Sequence, residues 1–316
     1  MTYLIRMKLL TYKTGKDVRL GALVKGFVLD LNAALDGSEI KGDLDLLSLL
    51  KLGEAGLELA MEAVDRATKV IDEGEDGGLR ARGILRALDD VEVKAPIPCP
   101  RKNIVCLGLN YAEHVREGGH DRDQERPLPQ NPIYFTKAPT TVNGPFDDIV
   151  YPRATEKLDY EVELAIVIGR EGKYIPKDAV YDHVAGYTVF NDVTARDLQR
   201  LHGQWFKGKS LDTFAPMGPY LVTPDEVGEP QDLDVWLKVN DEVRQSSNTS
   251  NMIFDIKTIV SVLSDGLTLE VGDIIATGTP SGVGSSHPSG FLKVGDVVET
   301  GVEKIGVIRN RVVKEK

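Results

Sequence analysis

A succession of short β-rich runs after Asn103, each punctuated by glycine or proline, constrains the fold most strongly. The runs read NIVCLGLN, LAIVIG, HVAGYTVFND, DVWLKVN, DIIATG and DVVETGV. Helical spacing is confined to brief segments near 110–117, 194–202 and 253–264. Because strands and helices do not alternate regularly, the pattern disfavours a parallel βαβ array and predicts an α+β, mainly β domain.

The first third of the chain has a different pattern of predicted strands and helices. Residues 3–31 read as short strands separated by turns at TGKD and at Lys25–Gly26, and residues 44–70 show helical spacing. The proline-rich, aperiodic segment KAPIPCPRK follows. We therefore predict a small N-terminal α/β domain over residues 1–98 and a catalytic domain over residues 99–316.

Charge and cysteine content narrow the class of protein. A net charge of −11 argues against nucleic acid or an anionic membrane as a partner, since both require a basic face. Cys99 and Cys106 form no C-x-x-C pair, and we expect both to be small buried residues in a reducing compartment. The N-terminus is interrupted by Arg6 and Lys8, unlike a signal peptide, and no apolar run suits a membrane span. These features predict a soluble, cytoplasmic protein.

The segment KLDYEVELAIVIG carries three alternating carboxylates, those of Asp159, Glu161 and Glu163. In a strand, side chains at this spacing point to one face. Three adjacent like charges repel one another more strongly as they lose water, and a divalent cation would offset that repulsion. The alternative is a solvated strand face without a ligand.

A further acid follows in YTVFNDVTARDLQR, where a β-rich run gives way to a helix. If the helix begins at Asp192, then Asp192, Arg196 and Gln199 share one of its faces. Asp192 has the alternative role of helix N-cap. Ligands drawn only from Asp and Glu select a hard cation such as Mg²⁺, Mn²⁺ or Ca²⁺ rather than zinc.

The segment GLNYAEHVREGG predicts a short helix in which Asn110 is the N-cap, Glu113 completes a capping box and Gly118–Gly119 ends the helix. His114 and Glu117 are then adjacent on its surface. A carboxylate beside an imidazole fixes the ring and raises its basicity, so the pair could take a proton from water. The alternative is an exposed pair without a catalytic role.

The stretch GQWFKGKS matches the P-loop pattern G-x-x-x-x-G-K-[ST]. A P-loop needs a buried strand before it and a helix after it. Here a helical, charged segment precedes Gly203, and Pro216, Gly218 and Pro219 forbid a long helix afterwards. Nucleotide hydrolysis is therefore disfavoured, and Lys209 needs another function.

In their order along the chain, the motifs resemble those of the fumarylacetoacetate hydrolase family. They are LGALVKGFVLDL, GLNYAEHVRE, IYFTKAPTTVNGP, DYEVELAIVIG, GYTVFNDVTARDLQ, KGKSLDTFAPMGP, TSNMIFDI and GDIIATGTPSGVG, which cover most of the chain. The resemblance implies a mixed β-sandwich or roll catalytic domain, a smaller N-terminal domain and a homodimer.

The resemblance also implies a role for each matched residue. The residues expected to bind Mg²⁺ or Mn²⁺ are Glu161, Glu163 and Asp192, with Asp159 in support. Those expected to lie at the substrate are Arg196, Gln199 and Thr279, although Arg196 fits a structural ion pair equally well. Lys209 is expected to bind the substrate anion, and His114 is expected to form a catalytic pair with Glu117 on a helix that orders over the substrate. The polar insert 121–130 suits a mobile lid over the site.

These roles predict an enzyme that acts on a small 2-oxo acid through an enolate stabilised by the metal. The expected reaction is hydrolysis of a C–C bond in a 2,4-dioxo acid, an acylpyruvate such as fumarylpyruvate, with His114 and Glu117 activating water. The alternative is an isomerase or oxaloacetate-type decarboxylase in aromatic catabolism, as for 5-carboxymethyl-2-hydroxymuconate or 2-hydroxyhepta-2,4-diene-1,7-dioate. A non-catalytic protein that binds metal and a 2-oxo acid is a third hypothesis.

Overall fold

The computed structural model describes residues 4–36, 44–117 and 127–316. Strands predominate within these ranges, as expected of an α+β, mainly β chain. The strands are β1 (Lys8–Thr14), β2 (Asp17–Val24), β3 (Phe27–Asp30), β4 (Leu85–Ala87), β5 (Glu92–Lys94), β6 (Ile104–Gly108), β7 (Ile133–Lys137), β8 (Val142–Asn143), β9 (Ile149–Tyr151), β10 (Leu158–Asp159), β11 (Val162–Ile168), β12 (Val184–Asn191), β13 (Thr194–Ala195), β14 (Ala215–Val222), β15 (Asp234–Val239), β16 (Glu242–Asn248), β17 (Ile274–Ala276), β18 (Val297–Val302) and β19 (Gly306–Lys314).

Helices are short apart from one near the N-terminus. They are α1 (Leu31–Ala34), α2 (Leu46–Lys51), α3 (Gly53–Asp72), α4 (Gly77–Ala81), α5 (Ala112–Glu117), α6 (Arg196–Leu201), α7 (Phe206–Lys209), α8 (Pro224–Val227) and α9 (Ile256–Ser264), with 3-10 turns at Leu88–Asp90, Pro139–Thr141, Lys177–His183 and Thr249–Asn251. Among the described residues, no helix has both the length and the apolar character that crossing a membrane requires.

The larger sheet runs β4-β3-β2-β1-β14-β12-β11-β17-β6-β7, with β5 paired to β1 and β8 to β14. N-terminal strands join the rest of the chain where β1 pairs antiparallel with β14, Lys8 opposite Val222. The two predicted domains thus share one sheet, and their division at residue 98 stays a prediction.

A smaller sheet, β16-β15-β18-β19-β9, packs on one face of the larger one. Central strand β11 is buried on both faces, which explains its unbroken apolar run AIVI. Leu164 and Ile166 belong to the core between the two sheets, whereas Ala165 and Val167 belong to the core beneath α2 and α3. This packing holds the acidic end of β11 on a rigid support.

The strands, turn and helical segment predicted near the N-terminus are observed in outline. The turn at Lys25–Gly26 joins β2 to β3, with φ of 47° and 84° at its two residues. The helical segment predicted over 44–70 is two helices, because Gly53 adopts a φ of 65° that separates α2 from α3. Cys99 is exposed, contrary to expectation, and Cys106 is buried.

Candidate active site and metal centre

A cavity of about 320 Å³ brings together most of the predicted site residues. Seven of the nine line it: His114, Glu161, Glu163, Arg196, Gln199, Lys209 and Thr279. The other two, Glu117 and Asp192, contact residues of this lining: Glu117 contacts His114, and Asp192 contacts Lys209. Residues that lie up to 165 positions apart in the chain therefore face one space.

The three predicted metal ligands meet where two neighbouring strands end. Glu163 lies on β11, Glu161 immediately precedes it, and Asp192 immediately follows β12. Antiparallel pairing places Val162 opposite Asn191, so these ends coincide. One carboxylate oxygen from each acid lies within 4.8 Å of the others. All three acids are buried, so the solvated-face alternative is wrong.

Asp159 lies beside the three predicted ligands, since Arg196 pairs with both Asp159 and Glu161. It lies in β10, which pairs with β13, and its Oδ1 accepts a hydrogen bond from the Gly284 backbone N–H at 2.6 Å. Its Oδ2 accepts another from Arg196 Nε at 2.7 Å. Asp159 thereby anchors Arg196 and the loop after Thr279. The side chains that alternate with the three acids, those of Tyr160, Val162 and Leu164, all belong to the core between the two sheets, as the alternation predicts.

Cations surround two of the three carboxylates. Lys209 Nζ lies 2.6 Å from both Glu161 Oε2 and Asp192 Oδ2. Arg196 Nη2 lies 2.5 Å from Glu161 Oε1. Burial alone would raise the pKa of Glu161, but the charges of Lys209 and Arg196 outweigh it and hold that pKa well below its ordinary value. Burial would lower the pKa of Lys209, but Asp192 and Glu161 reverse the effect and raise it.

Glu163 has a different environment. Its Oε2 accepts a hydrogen bond from the Gly278 backbone N–H at 2.8 Å, and among the described residues no side-chain cation pairs with it. Burial, followed by the charges of Asp192 and Glu161, raises the pKa of Glu163 well above its ordinary value. A buried oxygen-only cluster, in which a bound cation would stabilise the charged form of Glu163, fits a hard divalent cation.

Lys137 is a site residue that the sequence analysis did not single out. Its Nζ lies 2.5 Å from Asp192 Oδ1 and donates a second hydrogen bond to the Val193 carbonyl at 3.0 Å. The lysine is fully buried at the end of β7. The sequence signal was a lysine at the end of the β-rich run IYFTK. If that run is a buried strand, the lysine needs an acidic partner, because a lysine is almost never fully buried without one.

The structure corrects the helix expected at Asp192. Helix α6 begins only at Arg196, and its N-cap is Ala195, so Asp192 is not the N-cap and does not share a helix face with Arg196. Arg196 and Gln199 do meet, since Arg196 Nη1 donates to Gln199 Oε1 at 3.2 Å. The ion-pair alternative for Arg196 is observed directly, through Asp159 and Glu161.

His114 and Glu117 form the pair that their spacing predicts. His114 Nδ1 lies 2.8 Å from Glu117 Oε1, and Glu117 Oε2 accepts a hydrogen bond from the Gly282 backbone N–H at 2.9 Å. The side chains are only 12% and 17% exposed, so the exposed-pair alternative is wrong. The carboxylate thus holds Nδ1, and the ring lines the cavity.

The capping box predicted for this helix is wrong. Asn110 is fully buried, and its Oδ1 accepts from the Phe254 backbone N–H at 2.8 Å instead of capping α5. Its Nδ2 donates to the Thr277 carbonyl at 2.8 Å. Glu113 accepts a hydrogen bond from Ser281 Oγ at 3.2 Å. The expected helix end at Gly118–Gly119, and most of the expected lid, lie outside the described residues.

The stretch GQWFKGKS does not form a P-loop. Helix α6, not a strand, precedes it, and the four-residue helix α7 ends at Lys209. Trp205 lines the cavity and packs edge-on against Phe135, with ring centroids 5.2 Å apart. Thr279 accepts a hydrogen bond from Gln245 Nε2 at 2.8 Å.

The two-sheet scaffold and the carboxylate cluster define a mainly β protein with a cavity whose acids could hold a divalent cation. A family model described as fumarylacetoacetate (FAA) hydrolase, C-terminal, matches residues 103–313. The chain therefore belongs to the fumarylacetoacetate hydrolase family.

Named relatives include isomerases and tautomerases. The oxaloacetate tautomerase YisK of Bacillus subtilis is 50% identical over 231 residues, 72% of this chain and 75% of the relative. The mitochondrial oxaloacetate tautomerase FAHD2A of Bos taurus is 42% identical over 291 residues, 91% and 84% of the two chains. The solved 5-carboxymethyl-2-hydroxymuconate delta-isomerase of Mycobacterium smegmatis is 31% identical, with a TM-score of 0.71 over 98% of this chain and 100% of that one.

Proposed function

We propose that the protein catalyses keto–enol tautomerisation of a small 2-oxo acid such as oxaloacetate, with Mg²⁺ or Mn²⁺ held by Glu161, Glu163 and Asp192. The observation that carries the proposal is a carboxylate-held imidazole lining the same cavity as the acidic cluster. Tautomerisation needs only a base and stabilisation of the enolate, and two relatives named as oxaloacetate tautomerases support it.

A divalent cation at the cluster would stabilise negative charge on the 2-oxo and carboxylate oxygens of the substrate. In the enol-to-keto direction the enol oxygen loses its proton to solvent and His114 delivers a proton to C3 through Nε2, because Glu117 already holds Nδ1. Lys209 uses two of its three N–H groups on Glu161 and Asp192, which leaves the third for the enolate oxygen.

Other side chains position the reacting groups. Arg196 fixes the Glu161 carboxylate and donates a hydrogen bond to the Gln199 oxygen. Among the described residues the Gln199 amide N–H₂ donates no hydrogen bond, so it can donate to the substrate. Thr279, whose oxygen already accepts from Gln245, keeps its own O–H to donate to the substrate carboxylate.

Acylpyruvate hydrolysis is the second candidate, favoured by the same His114–Glu117 pair. An imidazole held at Nδ1 by a carboxylate can deprotonate water as well as carbon. Hydrolysis requires, in addition, a water placed against the distal carbonyl. Isomerisation of a 2-hydroxydienoate or decarboxylation of oxaloacetate would proceed through the same enolate, and the solved delta-isomerase supports that class.

A substrate panel separates these reactions. The Mg²⁺-loaded protein would be mixed with enol oxaloacetate, fumarylpyruvate and 5-carboxymethyl-2-hydroxymuconate, and enol absorbance, released pyruvate and released CO₂ would be followed. We expect enol absorbance to decay faster than with Mg²⁺ alone, without matching pyruvate or CO₂, and to slow in His114→Ala. Stoichiometric pyruvate and fumarate from fumarylpyruvate would favour hydrolysis, and binding without turnover would favour a non-catalytic protein.

The homodimer and the cytoplasmic location expected from the sequence stay predictions. Sedimentation of the purified chain tests the first, and fractionation of the source cells tests the second.

A further inference from the structure

Arg200 lies on α6, one helical turn after Arg196, and its exposed side chain lines the cavity. Within the described residues, three arginine or lysine side chains line this space: Arg196, Arg200 and Lys209. An anionic substrate with two carboxylates needs a positive partner at each end. The question is therefore which of these three cations are already paired with carboxylates of the protein.

Two of the three are committed to protein carboxylates. Arg196 donates from Nε to Asp159, from Nη2 to Glu161 and from Nη1 to Gln199. Lys209 is 2% exposed and bridges Glu161 and Asp192. Both therefore serve the acidic end of the cavity, and a second substrate carboxylate would need another cation.

Arg200 differs from Arg196 and Lys209 in its exposure and in its partners. In the parts of the chain that the structure describes, its guanidinium forms no ion pair or side-chain hydrogen bond. One helical turn, a rise of about 5.4 Å, separates it from Arg196 at the acidic cluster. Both side chains nevertheless line the same cavity. Ser285 and Ser286 also line this cavity and offer hydroxyl donors.

We propose that Arg200 binds the carboxylate of the substrate that is remote from the 2-oxo group, and so selects dicarboxylates over monocarboxylates. The guanidinium presents a planar pair of N–H donors that matches a carboxylate, and it stays charged at any working pH. This inference rests on the proposed function, since it assumes that the 2-oxo acid end lies at Glu161, Glu163 and Asp192.

The test compares two compounds that differ only at the far end. Oxaloacetate carries a carboxylate there, and 2-oxobutanoate carries a methyl group in its place. For the Mg²⁺-loaded wild type, Arg200→Gln and Arg311→Gln, one would measure KM and kcat for oxaloacetate and the inhibition constant of 2-oxobutanoate. Arg311 is exposed on β19, away from the cavity, and controls for the loss of one positive charge.

We expect Arg200→Gln to raise KM for oxaloacetate about tenfold or more, with kcat and the inhibition constant of 2-oxobutanoate within about twofold of wild type. Arg311→Gln should match wild type throughout. Equal weakening of both compounds, or no change in either, would overturn the role of Arg200.

Failure of the proposed function is a separate outcome. If the wild type does not speed oxaloacetate tautomerisation, calorimetric dissociation constants of the same two compounds still decide the inference. Preference of the wild type for oxaloacetate that is lost in Arg200→Gln would uphold it, and equal affinities in the wild type would refute it.

Discussion

The ammonium of Lys137 lies 2.5 Å from Oδ1 of Asp192, and both side chains are fully buried. Lys209 contacts the other oxygen, Oδ2, at 2.6 Å. The Asp192 carboxylate is therefore held between two lysines from different elements, β7 and α7. Its orientation is fixed before any cation arrives, which is the condition for a well-formed metal site.

Lys137→Met should weaken both stability and metal binding. Removing one partner of a buried ion pair leaves the Asp192 charge poorly compensated, and we expect a loss of about 3–5 kcal/mol in the free energy of unfolding. Mn²⁺ affinity, measured by calorimetric titration at a temperature where the variant is folded, should fall at least about tenfold. Lys16→Met, in the exposed turn after β1, is the control. Unchanged Mn²⁺ affinity in folded Lys137→Met would contradict the positioning role.

Glu163→Gln should separate metal binding from folding. The substitution removes a carboxyl group whose charged form is disfavoured by burial and by the charges of Asp192 and Glu161, while the new amide oxygen can still accept from Gly278. We expect the metal-free variant to melt at or above the wild-type temperature, yet to bind Mn²⁺ at least about tenfold more weakly. A large drop in the melting temperature of the metal-free variant would show that the charge of Glu163 stabilises the fold.

Glu117→Gln should lower kcat at least about tenfold. An amide N–H₂ at the position of Oε2 would face the Gly282 N–H, donor against donor, and an amide cannot stabilise the imidazolium. Glu113→Gln, on the same helix but bonded to Ser281, is the matched control and should keep most activity. Steady-state kinetics with Mg²⁺ and enol oxaloacetate measure both, and equal losses would indicate general disturbance of α5.

Gly108→Ala should disturb the aromatic wall of the cavity. A Cβ at Gly108 would lie 2.3 Å from Cζ3 of Trp205, so the ring must shift and its edge-on contact with Phe135 would change. We expect a loss of about 1–3 kcal/mol in unfolding free energy and a higher KM. Gly77→Ala, where nothing lies within 4 Å of the added Cβ, is the control. Wild-type stability and KM in Gly108→Ala would show that Trp205 relocates without consequence.

Much of the site could be predicted because its residues stand in short, ordered motifs. Glu161 and Glu163 were recognisable from alternation, and His114 with Glu117 from helical spacing. Local spacing could not show that Asp192 lies beside Glu161 and Glu163, since that depends on the pairing of β11 with β12.

Long-range partners were the part that sequence could not supply. Lys137 meets Asp192 across 55 positions, and Asn110 reaches Phe254 across 144. Asn110 satisfied the local rule for a helix cap, but tertiary hydrogen bonds took its side chain instead. In the N-terminal part, a glycine at positive φ divided one predicted helix into two, which composition alone does not reveal.

Proton exchange at C3 of oxaloacetate is the most direct test of the proposed metal-dependent tautomerisation through His114. In D₂O with Mg²⁺, nuclear magnetic resonance would follow loss of the C3 protons with wild type, His114→Ala, EDTA-treated protein and Mg²⁺ alone. We expect exchange with wild type well above Mg²⁺ alone, loss of that excess in His114→Ala and after EDTA, and its return when Mg²⁺ or Mn²⁺ is restored. Exchange no faster than with Mg²⁺ alone, or equally fast without His114, would contradict the proposed tautomerisation.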